Sequence, residues 1–300
     1  MNPHKLATRA LTAAIFAIST AALIFIHPLT CTAAMAVLAG FCSFEFYAML
    51  RNPEPRIKKS GEVGRRPNEI IGVSAAVFYP IAFYFYGFNV MLLLTAVLAL
   101  VLLVWYAFDL QADIVDVAVT LFGALYTGML LAFMVWIREF LPGWTFLGIS
   151  HLGGFGGLLA FLVILAVWAN DAFAYLFGSI FGKHQMAPKI SPAKSWEGFA
   201  FGMLAPIIVW VLISFIPGVD LSWYWGLAAG LLCGLATTLG DLIESRIKRG
   251  TGHKDSGHAL PGHGGFLDRC DSLFLVTVCA AFVLWLSTAP DLLTGLSHLI

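Results

Sequence analysis

Between Ser245 and Asp271 the chain reads SRIKRGTGHKDSGHALPGHGGFLDRCD, a basic, glycine-rich stretch that ends in two aspartates three residues apart. These residue types suit phosphate chemistry. Lys248, Arg249, Lys254 and Arg269 offer fixed positive charge to phosphate oxygens, and Gly264 and Gly265 let backbone N–H groups approach an anion. Asp268 and Asp271 are oxygen ligands of the kind Mg²⁺ accepts. Just upstream, Asp241, Glu244, Ser245 and Lys248 fall at helix positions i, i+3, i+4 and i+7, a single polar stripe. A cation held between carboxylates and a surface ion-pair ladder both fit that stripe. For the Asp268 and Asp271 pair, metal binding and capping of a helix start, where negative charge suits the dipole, are likewise both open.

A second group precedes these. Asn170 and Asp171 interrupt the apolar run VWANDAFAYLFGSIF, where an ionisable residue is costly unless it faces a polar cavity; a hydrogen bond to a neighbouring helix is the alternative. The loop from Lys189 to Gly198 offers Ser191, Lys194, Ser195 and Glu197 near the next helix start. Ser195 suits an N-cap there, so the loop either combines helix N–H groups with Lys194 as an anion site or is a plain capped turn. Glu45 lines a cavity or reaches the interface; both remain open.

The elements that must position these residues are membrane helices. Hydrophobic residues make up 60% of the 300 and charged residues only 11%, and apolar runs long enough to span a bilayer follow in series. Nine spans are expected, at roughly 10–27, 29–50, 70–87, 89–108, 117–137, 157–181, 199–216, 224–244 and 272–290, in a single all-α polytopic domain. Residues 1–150 carry spans joined by a basic loop at 51–69, and 157–290 carry the chemistry. With a retained signal-anchor helix and a cytoplasmic N-terminus, 16 of the 17 Lys and Arg residues face the cytoplasm and Arg138 alone lies outside. This arrangement requires a very short outer turn at Gly87, Phe88 and Asn89 and places the acidic link from Asp109 to Asp116 inside. The glycine-rich His151–Gly157 stretch is read as a flexible outer turn. Five scattered cysteines without a CxxC pair indicate small buried hydrophobes rather than a disulfide framework or zinc site.

The stretch from Ser245 resembles the signature of the phosphatidate cytidylyltransferases, which runs Ser-x-x-Lys-Arg, Lys-Asp, Pro-x-His-Gly-Gly, Asp-Arg-x-Asp. Here those elements are Ser245, Lys248, Arg249, Lys254, Asp255, Pro261, His263, Gly264, Gly265, Asp268, Arg269 and Asp271. An Asn-Asp segment and a Ser-Pro-x-Lys-Thr-x-Glu-Gly loop are similar too, with Ser195 in place of the threonine. The resemblance is specific over about 168–271. It implies transfer of a cytidylyl group from CTP to phosphatidate, with Mg²⁺ required and a second cation left open. Asp241, Asp268 and Asp271 are then the metal ligands, and Lys248, Arg249, Lys254 and Arg269 the catalytic cations. Asn170, Asp171, Ser191, Lys194, Ser245, His263, Gly264 and Gly265 contact substrate. His263 is read as a phosphate hydrogen bonder or support of the glycine turn, because a phosphate monoester with a second pKa of about 6 needs no general base. His253 and His258 match no fixed position of the signature. The implied partners are the two substrates and membrane lipids, without nucleic acid and compatibly with a homodimer, and the implied site is the cytoplasmic face of the cell membrane. The rival readings are an enzyme acting on another lipid phosphate and an ion-coupled transporter. The transporter is disfavoured by the uniformly apolar outer halves of nearly all spans.

Overall fold

The computed structural model describes residues 18–51, 65–139, 154–216, 219, 221–257, 259 and 264–288. Helix α1 covers 18–26. It is followed by α2 Pro28–Arg51, α3 Glu69–Tyr86, α4 Asn89–Phe108, α5 Ile114–Glu139, α6 Gly154–Phe181, α7 Trp196–Ser214, α8 Trp223–Thr251 and α9 Leu267–Ser287. Among the described residues, the eight helices α2 to α9 are long and apolar enough to cross a membrane and correspond to the second to ninth expected spans. Of the first expected span only 18–26 is described. Most of the basic loop, 52–64, and part of the glycine-rich turn, 151–153, lie outside the described residues, as do His258, Pro261 and His263.

Local sequence sets the helix ends. Asn68 accepts a hydrogen bond from Ile71 N (3.1 Å) and caps α3, and Asp113 and Asp116 form a reciprocal capping box at the start of α5. Gly87, with φ of 74°, makes the short α3–α4 turn. Two ends of the described spans differ from the expectation by five residues or more. The α8 helix continues past 244 to Thr251, because Glu244 and Lys248 pair one turn apart and Gly252 in the left-handed conformation ends it only there. The α9 helix begins at Leu267 and so takes Asp268 and Asp271 into its first turns. The all-α expectation also needs one correction. Gln185–Ala187 and Ser191–Ser195 pair as a short antiparallel hairpin between α6 and α7.

Close helix approach is written in small residues. A side chain at Gly226, Gly230 or Gly234, one per turn of α8, would strike Trp210, Ile207 or Met203 of α7 at 2.5–2.7 Å, so their absence lets the two helices touch. Gly240 plays the same part against the backbone of Asp271 and Ser272, and Ser272 Oγ donates to Thr237 O (3.0 Å). Helices α8 and α9 therefore lie side by side where Asp241 and Asp271 sit. Cys31, Cys42, Cys233 and Cys270 are buried as small apolar residues, with Cys279 half-buried.

One end of the bundle collects the charge. Arg51 pairs with Glu69 (2.5 Å), Arg65 with Asp113 (3.5 Å), and Asp116 accepts from Arg66 N (2.9 Å), so the acidic link lies at the same end as the basic residues before α3. Lys194 and Asp241 meet at that end too. Arg138 lies buried at the opposite end, where its Nε donates to Ile24 O (3.1 Å).

Candidate active site

At the charged end, α6, α8, α9, the start of α7 and the hairpin enclose a cavity of about 450 Å³, within the range of small-molecule sites. Asn170, Asp171 and Tyr175 line it from α6, and Met186, Ser191, Lys194 and Ser195 from the hairpin. Thr238, Asp241 and Lys248 line it from α8, and Asp268, Arg269 and Asp271 from α9. Residues separated by up to a hundred positions are thus brought together.

The hairpin exists in this position because both its ends are fixed. Ser195 caps α7 by accepting from Gly198 N (3.1 Å), as its residue type suggests. Glu197 accepts from Lys183 N (3.1 Å), His184 N (3.2 Å) and the His184 ring (2.6 Å), which closes the loop base. Lys194 consequently points into the cavity, with Nζ 2.5 Å from Asp241. Asp241 also accepts from Ser245 Oγ (3.1 Å), so Ser245 reaches the site through Asp241 rather than by lining it.

The other expected residues divide. Lys248 is mostly buried and ion-paired to both Glu244 and Asp268, the latter at 2.6 Å, so the polar stripe is in part an internal ion-pair ladder. Asp268 also accepts from Ser256 N (3.0 Å) and Gly265 N (2.8 Å); three donors therefore hold its carboxylate, and the Gly265 N–H is already engaged. Gly264 turns with φ of 80°, and a side chain there would meet Asp268 at 2.5 Å. Neither glycine lines the cavity. Arg249 lies outside it as well, its guanidinium donating to Ile190 O (3.4 Å) and His253 O (3.1 Å), which clasps the hairpin to the end of α8. Lys254 is exposed and is not a lining residue, whereas its neighbour Asp255 is. Asn170 is buried and its amide approaches Asp171 at 3.5 Å.

Asp171, Asp241 and Asp271 share the cavity closely enough for their charges to act on one another. No group of three or more His, Cys, Asp or Glu side chains is arranged to hold a metal ion among the described residues. The donor set nevertheless suits a hard cation. Five carboxylates, those of Asp171, Asp241, Asp255, Asp268 and Asp271, face three cationic side chains, those of Lys194, Lys248 and Arg269. A cavity so biased accepts a polyanion only together with added positive charge.

Sequence reasoning missed the contribution of the N-terminal half. Glu45 of α2 is 7% exposed and accepts from Ser256 Oγ (3.0 Å), Phe266 N (3.1 Å) and Leu267 N (2.9 Å). The one available signal was a carboxylate inside an apolar span.

The model of the cytidylyltransferase family matches residues 7–287. Similar proteins include the phosphatidate cytidylyltransferase of Mycobacterium bovis, 38% identical over 173 residues, which is 57% of this chain and 51% of that protein. The phosphatidate cytidylyltransferase of Staphylococcus haemolyticus is 45% identical over 119 residues, 40% of this chain and 45% of its own length. The matched part spans about half the length of these curated relatives.

Proposed function

We propose that this chain, which belongs to the cytidylyltransferase family, transfers the cytidylyl group of CTP to phosphatidate and forms CDP-diacylglycerol and pyrophosphate. The observation that carries this reading is a single cavity, at one end of membrane-crossing helices, that gathers Lys194, Arg269, Asp241 and Asp271. Relatives named for that activity support the choice of substrates. The abundance of Lys and Arg at this end argues that it faces the cytoplasm of the cell membrane, with the N-terminus on the same side.

In this mechanism a phosphatidate oxygen attacks the α-phosphorus of CTP in line. The new bond joins lipid phosphate to the cytidylyl phosphorus, the bond from α-phosphorus to the bridging oxygen breaks, and pyrophosphate leaves. A phosphate monoester, with its second pKa of about 6, is mostly dianionic at neutral pH, so no protein base is required. Catalysis then rests on fixed geometry and neutralised charge. Lys194 and Arg269 bind phosphate oxygens, while Asp241 holds Lys194 in place until substrate arrives. Lys248 keeps Asp268 oriented, and Arg249 acts on the hairpin instead of on substrate. Asp241 and Asp271 would hold Mg²⁺, Asp241 once Lys194 leaves it for phosphate, while three donors keep Asp268 in place. Bound there, Mg²⁺ supplies the charge that lets a triphosphate enter an acidic cavity.

The test is turnover of purified protein with phosphatidate in detergent micelles and each of the four labelled ribonucleoside triphosphates. CTP is expected to label the lipid at least about tenfold faster than the others, one favourable base contact being worth about 1.4 kcal/mol. Equal labelling by all four, or none, would contradict the proposal.

A further inference from the structure

The loop between α8 and α9 is held at its described ends by two carboxylates, and only one of them faces the site. Asp268, on the cavity, grips Ser256 N and Gly265 N. Glu45 is not a lining residue of the cavity. It belongs to α2, more than two hundred positions away, yet it grips the same loop on both sides through Ser256 Oγ, Phe266 N and Leu267 N. Two of those donors are N–H groups at the start of α9 that the helix itself leaves unpaired, where a carboxylate also meets the positive end of the dipole. The neighbourhood is shaped around this side chain. A Cβ on Gly257 would lie 2.7 Å from Glu45, and one on Gly265 2.3 Å from it. Nearby on the same helix Phe41 stacks on Phe266, with ring centroids 4.6 Å apart.

We propose that Glu45 is a positioning residue for the transfer reaction, fixing the first turn of α9 so that Asp268, Arg269 and Asp271 hold their places in the cavity. This rests on the function proposed above. It gives the N-terminal helices a part in the chemistry beyond anchoring, because the carboxylate reaches the reacting groups only through the loop it holds. A glutamine in its place keeps the length but turns an N–H₂ toward donors, so at least one bond is lost and Asp268 is left as the acidic residue of the first turn.

The experiment compares wild type, Glu45→Gln, Ser256→Ala and the double variant in the purified full chain, reading kcat, the KM for CTP, the melting temperature and amide hydrogen exchange. For Glu45→Gln the expected result is a kcat lower by about 10- to 100-fold with KM for CTP changed less than about threefold. Exchange should quicken in peptides covering 256–268 while α3 and α4 stay protected. Because both side chains serve one contact, the double variant should cost clearly less than the product of the singles. Wild-type kcat in Glu45→Gln, or faster exchange throughout the bundle with kcat per folded molecule unchanged, would overturn the proposal. Should Glu45→Gln not fold, Ser256→Ala decides the matter. A kcat loss of about three- to tenfold supports the tether and an unchanged kcat overturns it. Wild type that fails to consume CTP and phosphatidate would sink the proposed reaction, whereas the exchange arm would still report on the loop.

Discussion

Lys194 sits 2.5 Å from Asp241 and lines the cavity proposed to bind phosphate, so Lys194→Ala should lower turnover about 30- to 150-fold, the value of one charged hydrogen bond of about 2–3 kcal/mol, without loss of folding. Arg249 instead holds the hairpin from outside. Arg249→Ala should therefore cost under about tenfold, the size expected for a neutral-carbonyl contact, and parallel rate measurements on the two variants check this ordering. Asp241→Asn and Asp271→Asn keep shape and remove charge. Each should lose most activity at ordinary Mg²⁺ and recover part of it as Mg²⁺ is raised, and the double variant should cost little more than the worse single. Independent, multiplying losses with no change in Mg²⁺ dependence would remove the ion from these two residues.

At the scale of elements, the site depends on how the start of α9 and the hairpin are fixed. Gly265 has no room for a side chain, since a Cβ would lie 2.3 Å from both Glu45 and Ser256 Oγ. Gly265→Ala should destabilise the loop by about 1–3 kcal/mol through overpacking, visible as faster exchange over 256–268 and reduced turnover with the helices intact. The sequence made some of this legible and hid the rest. Ser195 as an N-cap and the i, i+4 geometry of Asp241 with Ser245 follow from residue type and spacing, because both are local. Glu45 against Leu267 and Arg249 against Ile190 are contacts between distant segments. No periodicity encodes them. The glycines at 264 and 265 read naturally as an anion cradle, yet the same absence of a side chain serves the close approach of Asp268 and Glu45. Sequence spacing alone does not separate these two uses.

For the whole molecule, the helix pattern follows from apolar run length, and among the described residues eight of the expected spans are present as long apolar helices. The proposed cytoplasmic placement of the cavity end rests on its Lys and Arg residues, and labelling on cells tests it. Lys189 and Ala259 are exposed at the cavity end, and Ser222 is exposed at the start of α8 on the other end. In a cysteine-free background, Lys189→Cys and Ala259→Cys should resist an impermeant maleimide until cells are permeabilised, and Ser222→Cys should react at once. The reverse pattern would invert the molecule. The central claim is transfer of a nucleotidyl group, and the fate of the individual phosphates of CTP tests it most directly. Purified protein is given phosphatidate, Mg²⁺ and CTP labelled at either the α- or the γ-phosphate, and lipid and aqueous phases are counted. The α label is expected to enter the lipid while the γ label leaves quantitatively as pyrophosphate, one for each lipid product formed. Appearance of the γ label in the lipid, or release of that label as inorganic phosphate without lipid labelling, would contradict it.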